Sequence, residues 1–137
     1  MTKLRKLDAS DSGINDLGID QLNLIELMSA GNPKITKVNH MTKLKRLNIN
    51  DSGHCAKSGI NSDQMSLLNL VELSVSHCDK IKNIQHMTNL VNLDVHILYE
   101  YEYELNNMGE RSQREFLGIN IPPKTKLNIL SGLNLKL

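Results

Sequence analysis

The stretch His40-Met41-Thr42-Lys43-Leu44-Lys45-Arg46-Leu47-Asn48-Ile49 sets the architecture of the whole chain, because pieces of it recur. MTKL appears at Met1–Leu4 and at Met41–Leu44, and MTNL at Met87–Leu90, with His40 and His86 preceding the two internal methionines. Aligned on the last leucine of that string, units begin at Leu4, Leu24, Leu44, Leu70 and Leu90, spaced 20, 20, 26 and 20 residues apart. Each start is followed by an apolar or small residue at the fourth and sixth places: Leu7 and Ala9, Leu27 and Ser29, Leu47 and Ile49, Leu73 and Val75, Leu93 and Val95. The ninth place holds Ser12, Asn32, Ser52, Cys78 and Leu98. Further apolar steps come every three residues, as Ile35, Val38 and Met41 in the second unit and Ile81, Ile84 and Met87 in the fourth. A multi-position pattern that returns five times in register marks a repeat architecture.

The period dictates the local structure. Alternation over the fourth to sixth places gives a short strand with its apolar side chains on one face. Twenty residues suffice for one strand and one return path, and a single such unit cannot bury its apolar face alone. The units therefore stack, and their strands form a parallel sheet. Strands are expected near residues 6–10, 26–30, 46–50, 72–76 and 92–96. The return segments are too short for long helices, so extended or 3₁₀ structure is expected there. The ninth residue falls at the turn after the strand, where an inward Asn or Cys can satisfy loop backbone groups.

The pattern L-x-x-L-x-L-x-x-N/C resembles the leucine-rich repeat, in the short internalin-like or SDS22-like form, over residues 1–98. It departs from that family in units of about 20 residues rather than 22, in the small Ala9 and Ser29 at apolar places, and in having the asparagine only at Asn32. The resemblance implies an α/β-type repeat solenoid, a horseshoe fragment with a parallel concave β-sheet and a mostly extended or 3₁₀ convex side. It also implies recognition of a protein partner by the concave face and edge loops, without catalysis and without a cofactor or metal. Residues 99–137 are expected to form a C-terminal β-rich capping segment.

The register sorts the outward residues into rows. The third place reads Lys6, Glu26, Arg46, Glu72 and Asn92; the fifth reads Asp8, Met28, Asn48, Ser74 and Asp94; the seventh reads Ser10, Ala30, Asn50, Ser76 and His96. The third-place row alternates in sign, which favours cross-strand pairing. The contiguous patch on the three middle strands, Glu26, Met28, Arg46, Asn48, Glu72 and Ser74, is the candidate partner-binding surface, with Met28 as its apolar anchor. The face sums to slightly negative, which argues against nucleic acid.

Composition sets the outer limits. The 137 residues carry 16 Lys plus Arg against 15 Asp plus Glu, a net charge of +1. That balance is unlike a strongly basic nucleic-acid binder. Lys34, Lys37, Lys43, Lys45 and Arg46 follow one another without an intervening acid, and Lys80 and Lys82 lie in the matching later segment. With no aromatics interleaved for base stacking, these cations read as a solvated face. No apolar run approaches the roughly 18 residues of a membrane span, and no signal peptide is evident, so a cytoplasmic, non-membrane protein is expected. Two cysteines are too few for a disulfide framework.

Three segments fall outside the regular pattern. The third unit carries six extra residues at about His54–Gly59, in a loop. His54-Cys55 there and His77-Cys78 in the next unit allow an alternative reading, a metal site or cysteine-dependent enzyme on the His54/Cys55/His77 loops. Cys78 sits at an inward repeat position, which makes packing the simpler role. His40 and His86 share a repeat position and read as loop residues. In the tail, odd positions from Leu93 to Leu105 are apolar or Tyr, a long period-two strand, and Glu100, Glu102 and Glu104 alternate with the tyrosines. Arg111–Leu117 reads as a helical turn, and Leu127–Ile129 with Leu133–Leu135 reads as a hairpin or a degenerate last repeat. At the other end, the first unit has no unit stacked outside it. The expectation is self-association through this uncapped N-terminal end, or a chain that is a structural fragment of a longer repeat protein.

Overall fold

The computed structural model describes residues 3–50, 58–76, 81–97 and 106–131. Among these residues six strands form one sheet: β1 (Lys6–Asp8), β2 (Glu26–Met28), β3 (Arg46–Ile49), β4 (Glu72–Ser76), β5 (Asn92–Ile97) and β6 (Lys126–Ser131). Their order in the sheet is their order in the chain, and every neighbouring pair is parallel. The first five strands begin where the repeat register puts them. Leu7, Leu27, Leu47, Leu73 and Leu93 stand side by side, as do Arg46 and Glu72.

The apolar places of each unit form the core. Leu24, Leu44, Leu70 and Leu90 at the first place are buried, as are Leu27, Leu47, Leu73 and Leu93 at the fourth. Ala9, Ser29, Ile49, Val75 and Val95 at the sixth place complete the strand side of the core. A leucine taken out of water in this way contributes roughly 1.5–3 kcal/mol. The return segments close the other side and come in two kinds. Units two and four return in extended chain with turns, burying Ile35, Val38 and Met41, and Ile81, Ile84 and Met87. Units one and three return through a helical turn: α1 (Asp16–Ile19) in one and a 3₁₀ turn (Asp63–Met65) in the other. Ile19 and Met65 are the apolar residues these turns bury.

The helical returns have local causes. Asn15 caps α1, its side chain accepting from Gly18 N at 3.2 Å. Asn61 and Gln64 cap the 3₁₀ turn reciprocally: Gln64 N donates to Asn61 Oδ1 at 3.2 Å, and Asn61 N donates to Gln64 Oε1 at 3.0 Å.

The two kinds of return are tied to each other by matched hydrogen bonds. Asp16 Oδ1 accepts from Thr36 N and Lys37 N of the next unit, at 2.7 and 3.0 Å. Ser62 Oγ, at the same repeat position two units on, accepts from Lys82 N and Asn83 N at 2.7 and 3.4 Å. In the opposite direction, His40 Nε2 meets the Ile19 carbonyl at 3.1 Å and His86 Nε2 meets the Met65 carbonyl at 3.1 Å. The two histidines therefore have structural work, joining an extended return to the helical return before it.

The turn after each strand shows what the ninth place does. Asn32 is fully buried; its Nδ2 donates to the carbonyls of Ala9 and Ile14 at 2.8 and 3.0 Å, and its Oδ1 accepts from Lys34 N at 2.8 Å. In the first unit Ser12 Oγ donates to Ala9 O and accepts from Ile14 N. In the third unit the matching acceptor is Ser58, whose Oγ takes Ile60 N at 3.4 Å. Ser58 is buried, so the repeat register resumes there, within a residue or two of the edge expected at Gly59. Gly59 is held close to the second unit: a Cβ there would stand 2.5 Å from Pro33 O and 2.8 Å from Ile35 O. Just before the ninth place the backbone turns left-handed, at Asp11 (φ 50°) and at its repeat equivalent Gly31 (φ 65°).

In the C-terminal segment Lys126–Ser131 runs parallel to β5 as a sixth strand, the placement of a degenerate last repeat. It is preceded by α2 (Glu110–Leu117), eight residues long, ended by left-handed Gly118. Arg114 Nη2 donates to Thr125 O at 2.7 Å and pairs with Glu110 at 3.2 Å, fixing α2 to the lead-in of β6. Asn120 bridges Asn83 on the return side, so the last connection follows the path of the unit before it. The expected strand from Leu93 is described only to Ile97; its tyrosine-rich part and residues 133–135 lie outside the described residues.

Candidate functional site

Strand alternation places the third- and fifth-place side chains on the face opposite the core. Glu26 and Met28 come from β2, Arg46 and Asn48 from β3, Glu72 and Ser74 from β4. All six line one open hollow of about 650 Å³ over the sheet. Lys6, Asp8, Asn92, Asp94 and Asn128 extend it along both sides.

The third-place row is a continuous ion-pair chain across four strands. Lys6 Nζ lies 3.2 Å from Glu26 Oε1, Arg46 Nη1 lies 3.0 Å from Glu26 Oε2, and Arg46 Nε lies 3.0 Å from Glu72 Oε1. The hydrogen bond from Lys6, with the charges of Lys6 and Arg46, outweighs desolvation and holds the Glu26 carboxyl below its ordinary value. Hydrogen bonds to Glu26 and Glu72 raise Arg46 further, so it is cationic at any pH the fold meets. Lys6 and Arg46 are solvent-exposed and the two glutamates half-buried, so the pairing sets side-chain direction more than it sets stability.

The fifth-place row is less neutralised. Asp8 Oδ1 accepts only the backbone N–H of Ser10 at 3.0 Å, and Asp94 Oδ1 accepts Asn128 Nδ2 at 2.8 Å; neither makes an ion pair among the described residues. Between them, Asn48 Oδ1 accepts from Asn50 N at 3.0 Å and Ser74 Oγ donates to Asn50 Oδ1 at 3.2 Å. Met28 stands 43% exposed. Two cations (Lys6, Arg46) against four carboxylates (Asp8, Glu26, Glu72, Asp94) leave the lining at −2. At the margin, His96 is half-buried; desolvation pushes its pKa below the ordinary value, with the Asp94 carboxylate opposing.

Such a face can hold another molecule by shape, hydrogen bonds and one apolar contact. Asn128 and Lys126 belong to the same rows and escape the repeat alignment, because β6 follows β5 at a spacing of 34 residues, Asn92 to Lys126. The alternative site at His54, Cys55 and His77 lies outside the described residues, as do Cys78 and Lys80. Among the described residues no three His, Cys, Asp or Glu side chains are grouped to hold a metal. No helix among them is long and apolar enough to cross a membrane. Lys34, Lys37, Lys43, Lys45 and Lys82 are exposed, as a solvated face requires. Compared with protein-family models, with curated proteins and with solved structures, the chain shows no match to any of them.

Proposed function

We propose that this chain is a short leucine-rich-repeat solenoid serving as a non-catalytic protein-interaction module in the cytoplasm. Its partner is a protein, held on the sheet face by Glu26, Met28, Arg46, Asn48, Glu72 and Ser74. One observation carries the reading: these six residues line a single open hollow, with the Met28 side chain exposed in it. The ion-pair chain supports it, since side chains already fixed in direction lose less freedom on binding. The −2 lining disfavours a polyanion such as nucleic acid.

The test is capture of binding proteins from host lysate, comparing three baits. The wild-type chain and Lys37→Glu, on the return side, should retain the partner. Arg46→Glu, which places a carboxylate between Glu26 and Glu72, should lose it. A partner whose affinity ignores substitution at all six positions would show that the sheet face is not the binding surface.

A further inference from the structure

The first unit is apolar on a side that nothing in the described structure covers. At the first repeat place Leu24 and Leu44 are 0% and 1% exposed, whereas Leu4 is 47% exposed. At the fourth place Leu27 and Leu47 are buried and Leu7 is only half-buried. Ile14 and Leu22 are likewise half-buried, while their third-unit equivalents Ile60 and Leu68 are buried.

This apolar unit also carries a sheet edge, since among the described residues β1 pairs with β2 alone. Arg5 O accepts from Ile25 N at 2.7 Å and Ala9 N donates to Met28 O at 2.7 Å. Arg5 and Ala9, and Leu7 midway between them, therefore turn their backbone groups toward β2. By strand alternation, Lys6 and Asp8 turn theirs toward the open edge. An edge of this kind accepts another strand.

Charge selects which strand fits. In an antiparallel pair centred on Leu7, Lys6 of one copy lies opposite Asp8 of a second copy, and Asp8 opposite Lys6. Lys6 and Asp8 are then the residues that exchange N–H···O bonds, as their outward backbone groups require. Each ion pair is made twice by the two-fold axis, and the leucines at position 7 meet at the centre. The Asp8 carboxylate, which makes no ion pair within its own chain among the described residues, finds its cation there. A parallel pairing of the same edges sets Lys6 opposite Leu7, because parallel partners alternate which residue faces the neighbour, and so makes neither ion pair. A head-to-tail stack on the outer edge of β6, continued in register, sets Lys6 against Lys126, like charges across adjacent strands, which is unfavourable.

We infer that the open edge of β1 is a self-complementary docking surface for a second copy of this chain, joined antiparallel about Leu7 in a closed two-fold dimer that also covers Leu4. A closed contact of this symmetry stops at two chains, where a head-to-tail one would continue.

Sedimentation velocity of the whole chain tests it. Wild type should shift with concentration from 15.4 kDa toward twice that mass. Lys6→Asp sets carboxylates opposite each other and Asp8→Lys sets ammonium groups opposite each other, so each variant alone should stay monomeric. Their equimolar mixture restores two opposite-charge pairs and should dimerise. Hydrogen exchange of wild type gives a second readout that needs no variant: the Lys6 and Asp8 amides should gain protection as concentration rises. A wild type that stays monomeric, amides at 6 and 8 indifferent to concentration, or variants that dimerise singly as well as they do mixed would each overturn the inference.

Discussion

Replacing Asn32 by alanine removes three hydrogen bonds from a fully buried site: two donated by Nδ2 to Ala9 O and Ile14 O, and one accepted from Lys34 N. Ala9 O keeps Ser12 Oγ at 2.8 Å, so it is not orphaned. Ile14 O and Lys34 N lose the partner that tied the turn of one unit to the next. At about 1 kcal/mol net per bond, Asn32→Ala should cost about 3 kcal/mol. Asn32→Asp separates hydrogen bonding from shape. It keeps the outline and the bond from Lys34 N, but puts a carboxyl oxygen where Nδ2 now stands, 2.8 and 3.0 Å from two carbonyl oxygens. That surrounding disfavours the charged form, so the introduced carboxyl has a folded-state pKa above its unfolded value of about 3.9. The folded state then holds a proton the unfolded state has released, and stability falls as pH rises through that window. When protonated, the carboxyl donates one bond and should be milder than alanine; when ionised at pH 7 it should be worse. Urea unfolding of wild type and both variants, across the acid range to neutrality, reads this directly. A cost below about 0.5 kcal/mol for Asn32→Ala, or an Asn32→Asp variant whose cost does not change with pH, would refute the role given to the ninth place.

Ser29 Oγ is buried with no hydrogen-bond partner among the described residues, and Ser29→Ala should stabilise the chain by roughly 1 kcal/mol, measured as a raised midpoint of thermal unfolding. Gly59→Ala should cost roughly 1–3 kcal/mol because backbone oxygens block its Cβ, while Gly13→Ala, with nothing within 4 Å of its Cβ, should not disturb the packing. Burial raises the Asp16 carboxyl, but hydrogen bonds from the Thr36 side chain and from the Thr36 and Lys37 backbone outweigh it and hold the pKa below 3.8. Its stabilisation is therefore present above the unfolded pKa and lost as pH falls through the lower folded one. Accordingly, Asp16→Asn should narrow the stability gap to wild type under acid and widen it toward neutrality.

The parallel sheet was legible because its signal is repeated: five leucine-marked strands in register leave one way to align side chains. The third-place charge row was legible for the same reason. β6 was legible only as one of two alternatives, a degenerate last repeat or a hairpin, since the 34-residue step from Asn92 to Lys126 breaks the period, and so Asn128 was not placed on the sheet face. Residue type alone could not choose between Ser52 and Ser58 as the place where register resumes; Ser58 is buried and accepts Ile60 N as Ser12 accepts Ile14 N. The work of His40 and His86 also lay beyond sequence reading. Their partners are carbonyls, which every residue carries, so composition could not point to them.

The two kinds of return segment have a consequence for how this chain can be lengthened or cut. Asp16 and Ser62 serve the extended return that follows them, and His40 and His86 serve the helical return that precedes them. Each bond needs unlike neighbours. Excising the second unit would set the α1 return beside the 3₁₀ return, leaving Asp16 without the Thr36 and Lys37 amides and the Ile19 carbonyl without an imidazole. Excising the second and third units together would bring Asp16 against Lys82 and Asn83, and His86 against Ile19, with every donor again facing an acceptor. The indivisible building block is the pair, so viable changes of length come in even steps.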